Sequence, residues 1–124
     1  MTPDNHAIVR RFWSTANAAN WDAFAALLSP DLVYEVPQTR ERVSGREDFV
    51  EFFRTWPGAW WAEVVRAVAD AHSAVTVINF VTPTEQMTGI TFFELSEGTI
   101  TRLTEYWPSD YEPPARASPV VKRY

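Results

Sequence analysis

The sequence predicts an α+β fold, with helices first and then a curved antiparallel sheet bent around them as a cone whose open end forms a pocket. Two observations carry this. Apolar residues recur at helical spacing up to about Trp56. From Trp60 onward the period switches to two and holds through four long segments. Helices followed by a run of strands is the layout of a sheet with its helices on one face. The expected order is α-α-β-(β)-α-β-β-β-β.

"TPDNHAIVRRFWSTANAAN" opens as a helix, with Thr2 as N-cap, Pro3 at the first position, and Asp4 and Asn5 in the first turn. Ile8, Phe12 and Ala16, with Val9 and Trp13 beside them, make its apolar stripe. Asn20 caps a second short helix, "WDAFAALL", which "SPD" stops because Pro30 disfavours helix at Ser29. "DLVYEV" alternates as a strand ending at Pro37, and the polar "QTRERVSG" is a loop or a short edge strand. Ser44 with Glu47 forms a capping box for "REDFVEFFRTW", which buries Phe49, Phe52 or Phe53, and Trp56; "PG" at 57–58 closes it. The strands are "WWAEVVRAVAD", "SAVTVINFVTPT", "TGITFFELSEG" and "TITRLTEYW". Adjacent in a strand, Trp60 and Trp61 point to opposite faces, one into the pocket or core and the other outward as a candidate subunit contact.

The chain of 124 residues is one domain by length, with 46% hydrophobic and 22% charged residues as in ordinary soluble proteins. Residues 1–110 form that domain. Residues 111–124 hold three of the nine prolines and show no period, so they are expected to pack on the body or on a partner subunit. A net charge of −5 supplies no basic stripe for nucleic acid. With no cysteine there is no disulfide and no thiolate metal site. The N-terminal stretch holds Asp4, His6, Arg10 and Arg11 where a signal peptide needs an apolar core, and the apolar run around residues 74–81 is too short to span a bilayer. The expected location is cytoplasmic, away from membranes. His6 and His72 lack a third ligand, so neither metal nor cofactor is expected. No nucleophile elbow or phosphate loop is present. The 18 aromatics fill the core or line a ligand cavity.

The candidate chemistry lies in "RLTEYWPSD". Leu103, Glu105 and Trp107 share one side of a strand; Arg102, Thr104 and Tyr106 share the other. Alternation alone leaves open which side faces inward. An inward Glu105 would lose hydration among apolar neighbours, and its pKa would rise toward neutrality, as a general acid or base near pH 7 requires. In "YEVPQTRER", Arg40 and Arg42 follow Tyr34 and Val36 toward the expected pocket mouth, where arginine pairs with Glu105, holds an anionic ligand, or merely joins a solvated charge cluster.

"IVRRFWSTANAANWDAFAALLSPDLVYEV", "SGREDFVEFF" and the four closing strands ending in "EYWP" resemble the SnoaL-like branch of the nuclear transport factor 2-like superfamily, from about residue 7 to 107. The stretch "PQTRERVSGRE" is similar to one in uncharacterised bacterial members. The resemblance implies a cystatin-like α+β barrel, a cone-shaped mixed sheet wrapped around three N-terminal helices. It also implies that Leu103, Glu105, Trp107, Thr91 and Phe93 face the interior. Members are usually homodimers through the sheet. The superfamily's ketosteroid isomerases place a Tyr and two Asp where this chain has Phe12, Val36 and Thr91, none of which moves a proton. Its limonene epoxide hydrolases need an Arg-x-Asp that does not occur here. The polyketide cyclases, with a pocket carboxylate, leave room for Glu105.

The reading is therefore a homodimeric domain that binds a small hydrophobic molecule. Phe12, Tyr34, Val36, Arg40, Thr91, Phe93, Leu103 and Trp107 line the pocket; Tyr34, Arg40 and Trp107 orient the ligand. In its enzymatic form, Glu105 is the acid/base of a cofactor-free isomerase, cyclase or lyase step. The alternative is a non-catalytic ligand-binding or interaction module of the same fold.

Overall fold

Helix α1 (Asn5–Asn17) begins two residues later than the sequence suggests, because the Asp4 side chain accepts the Ala7 amide at 3.1 Å and is the N-cap. The computed structural model describes residues 3–124, and Thr2 lies outside them. Val9, Phe12, Trp13 and Ala16 bury the expected stripe. At the far end Asn17 bonds both the amide and the carbonyl of Ala62, at 2.8 and 2.7 Å. It thereby satisfies part of an exposed sheet edge and sets the helix across the sheet.

Helix α2 (Trp21–Ala25) has the expected Asn20 cap but stops early. Leu28, read as helical, instead opens strand β1 (Leu28–Val36), and Pro30 lies within that strand. The proline is tolerated because its pairing with the last strand breaks register between Leu28 and Val33, where no ladder donor is needed. Strand β2 (Glu41–Ser44) is the short edge strand, and α3 spans Arg46–Arg54. The capping box does not form: Ser44 stays in β2, and Gly45, at φ 93°, is the N-cap with no side-chain bond to the helix. A positive φ is open to glycine at little cost, and here it lets the strand turn directly into the helix.

Strands β3 (Trp61–Ala69), β4 (Ser73–Val81), β5 (Gln86–Ser96) and β6 (Thr99–Tyr106) follow the predicted alternation. The six strands form one open sheet in the order β2-β1-β6-β5-β4-β3. All neighbours are antiparallel except β1 and β6, which run parallel. The curved sheet carries the helices on its inner face, giving the predicted α+β cone. Phe12 sits at the centre of the core, with the rings of Trp13, Phe24, Phe49, Phe53 and Phe93 between 4.8 and 6.2 Å away. Outside, Glu35 of β1 pairs with Arg42 of β2 at 2.6 Å and with Arg102 of β6, tying three strands together. No helix among the described residues is long and apolar enough to cross a membrane.

Candidate functional site

A polar row crosses the inner face of the sheet inside this apolar core. Register sets Thr76 of β4 opposite Thr91 of β5, and Thr91 opposite Glu105 of β6. Tyr34 of β1 extends the row, paired with Leu103 two residues from Glu105. All four side chains are buried. The Tyr34 hydroxyl donates to Oε1 of Glu105 at 2.6 Å, and the Thr91 hydroxyl donates to Oε2 at 2.6 Å. From α1, the Trp13 indole donates to Thr76 Oγ1 at 3.0 Å. Each polar atom of the row is matched because an unpaired one here would cost roughly 1–3 kcal/mol.

Glu105 therefore faces inward, and its environment is unusual for a carboxyl. Burial pushes its pKa up, while the bonds from Thr91, Tyr34 and, more weakly, the Trp107 side chain pull it partly back; the net direction is upward. No cation is paired with it among the described residues. Burial and then the neighbouring Glu105 charge raise the Tyr34 phenol far above its ordinary value, so it remains a protonated donor.

Above Glu105 lies a cavity of about 590 Å³, within the size range of small-molecule sites. Its walls are aromatic: Phe52, Phe53 and Trp56 from α3 and the loop after it, facing Trp60, Phe80 and Trp107 from the sheet. Trp60 stacks on Phe80 with ring centres 5.4 Å apart, and Phe80 meets Trp107 edge to face at 5.5 Å. Glu105 and Tyr34 are the polar groups of the interior, whereas Thr39, Glu41 and Arg42 come from the β1–β2 hairpin. Trp107 reaches this wall because Gly89, on the facing strand, has no side chain. A Cβ there would come within 2.9 Å of the Trp107 ring and 3.1 Å of Ile78. Gly89→Ala is accordingly expected to displace Trp107 and shift tryptophan emission with little loss of fold, an outcome checked by fluorescence beside circular dichroism.

Of the residues proposed from sequence, Tyr34, Val36, Glu105 and Trp107 meet at this cavity. Thr91 touches Glu105 from within the wall. Phe12, Phe93 and Leu103 face inward but are sealed in the core, beneath the cavity lining. Arg40 does not line the cavity: it is exposed, with φ 59°, at the tip of the β1–β2 turn. Arg42 is the arginine at the cavity, and Glu35 engages it from outside. Sequence reasoning did not assign the wall formed by Phe53, Phe80 and Met87. The only signal was the spacing of apolar residues, which reads alike for core and cavity.

Comparison with known proteins agrees with this fold. A family model described as a SnoaL-like domain matches residues 9–103. A solved structure titled "putative ketosteroid isomerase" from Kribbella flavida DSM 17836 is 39% identical, with a TM-score of 0.89 over 97% of this chain and 89% of that one. An NTF-2 like protein of unknown function from Burkholderia xenovorans LB400 is 21% identical, with a TM-score of 0.80 over 97% and 94%. A "putative polyketide cyclase" from Sinorhizobium meliloti is 20% identical, with a TM-score of 0.70 over 80% and 93%. No curated protein gives a significant match. The family match covers most of the chain, and the chain belongs to the SnoaL-like domain family.

Proposed function

We propose that this domain binds a small, largely apolar, carbonyl-bearing molecule in the aromatic cavity, and that Glu105 exchanges a proton with it as general acid/base. The observation that carries the reading is a buried carboxyl, without a cationic partner among the described residues, at the floor of an aromatic-walled cavity. Desolvation raises its pKa toward the pH at which a group can both take and return a proton. A proton abstracted from the carbon next to the ligand's carbonyl would pass to Glu105 and be returned elsewhere on the same molecule. Such an isomerase, cyclase or lyase step uses groups of the chain itself. The Tyr34 hydroxyl, held on Oε1, orients the carboxyl and remains a donor throughout.

One observation favours a second reading, a non-catalytic binding module: both Glu105 oxygens already accept a hydroxyl bond. Native mass spectrometry of freshly purified protein, searched for a co-purifying small molecule, supplies the compound for the test. On the catalytic reading Glu105→Gln lowers its turnover by about 100-fold or more and keeps the fold. Full turnover in that variant removes Glu105 from the chemistry. Binding with no turnover in either protein leaves the module.

The outer face of the sheet exposes Trp61, Val65, Val68 and Phe92. We propose that this face forms a homodimer contact, since apolar patches of this kind commonly become subunit interfaces.

A further inference from the structure

Trp107 stands where two strand ladders have run out. Strand β6 pairs with β1 as far as Glu35–Thr104 and with β5 as far as Ile90–Tyr106, so Trp107 lies beyond both registers. Pro108 follows, and a residue without an amide hydrogen cannot donate to a further rung. A strand end of this kind tends to fray. Yet the Trp107 ring has one defined place, edge to face with Phe80 and against Gly89, where no side chain intervenes.

One side chain holds the backbone that carries this ring. The Trp107 amide donates to Oε1 of Gln38 at 2.5 Å, and Nε2 of Gln38 donates to the Trp107 carbonyl at 3.2 Å. A carboxamide presents an acceptor and a donor side by side, so it engages both polar groups of one residue as a facing peptide does in an antiparallel pair. Gln38 thus continues the contact between β1 and β6 after the main chain of β1 has turned away. The turn that presents it is itself fixed. Pro37 restricts the backbone, and the Thr39 amide donates to the Val36 carbonyl at 3.2 Å. Gln38 is exposed and does not line the cavity, so its influence on the site passes through Trp107.

We propose that Gln38 is a positioning residue of the candidate site: it latches the Trp107 backbone and so holds the indole as a fixed wall of the cavity beside Glu105. The role rests on the reading of the cavity as a binding site for an apolar molecule. Gln38 touches no ligand in it; Trp107 does.

Gln38→Ala removes the latch, and Gln38→Met keeps nearly the same length without a donor or acceptor. Both variants are expected to retain the circular dichroism of the parent. In each, the nuclear Overhauser effect between the Gly89 α-protons and the Trp107 ring falls by more than half, with Trp107→Phe assigning the ring signals. Affinity for N-phenyl-1-naphthylamine, a neutral apolar fluorophore, falls about fivefold or more, the order expected when one aromatic contact is lost. Unchanged ring contacts and affinity in both variants overturn the latch. A Met variant that behaves like the parent while the Ala variant does not means that bulk holds the ring, and overturns the hydrogen-bonded latch. Lost ring contacts with unchanged affinity overturn the wall. A parent chain that does not take up the fluorophore overturns the binding reading itself, and the ring contacts still report the latch separately.

Discussion

Phe12→Ala lowers the stability of the domain by about 3–5 kcal/mol, the cost of deleting a fully enclosed aromatic ring. The ring touches five others, Trp13 beside it on α1, Phe24 of α2, Phe49 and Phe53 of α3, and Phe93 of β5, so no single neighbour can move in to fill the space. Against a typical total of roughly 5–15 kcal/mol, such a loss leaves a substantial unfolded fraction near physiological temperature. Urea unfolding of the variant beside the parent chain measures it. A loss under about 1 kcal/mol would mean that the helices are not anchored on the sheet through this ring. The same position is where the resemblance to ketosteroid isomerases sought a catalytic tyrosine. The enclosed phenylalanine serves the architecture instead.

Glu105→Gln acts in the opposite direction, and its effect depends on pH. In the folded chain burial holds the Glu105 pKa above its ordinary value, whereas in the unfolded chain the carboxyl returns to that value. Below the ordinary carboxylate range both states are protonated and the contribution of the neutral acid to stability is complete. As pH rises, the unfolded state releases its proton first, so stability is lost progressively until the folded pKa is passed. Glutamine keeps the shape without titrating: its carbonyl accepts from Tyr34 and its amide faces the Thr91 hydroxyl. The variant should therefore gain on the parent as pH rises from about 4 to about 8. Urea unfolding at the two pH values measures the gap, and other titrating groups largely cancel in the comparison. A gap that does not change with pH would contradict a perturbed Glu105.

Strand alternation was legible wherever the period was two. The predicted segments from Trp60 to Trp107 match β3 to β6 to within a few residues, and Trp60 faces the cavity while Trp61 lies outside. Helix ends were less legible because capping depends on backbone angles that residue types only bias. Asp4 caps α1 where Thr2 was expected, and Gly45 displaces Ser44, the expected box residue, at α3. Leu28 fits an apolar helix face and an apolar strand position equally well, and the tertiary pairing with Ile100 decides it. Arg40 was misplaced for a similar reason. A turn residue's direction follows from its dihedral angles, and at φ 59° Arg40 sits at the exposed tip of the hairpin. Glu105 could be placed on a strand but not on a face. The resemblance supplied the face, and the bonds from Tyr34 and Thr91 give the geometry.

The account turns on one carboxyl that keeps its proton where an ordinary glutamate would have lost it. Carbon-detected NMR of the chain labelled at glutamate side-chain carboxyls, with Glu105→Gln to assign the signal, reads this directly. The expected titration is displaced clearly above that of the chain's exposed glutamates. A midpoint among theirs would mean that water or a counter-charge reaches the group, and the proton-transfer reading would be wrong.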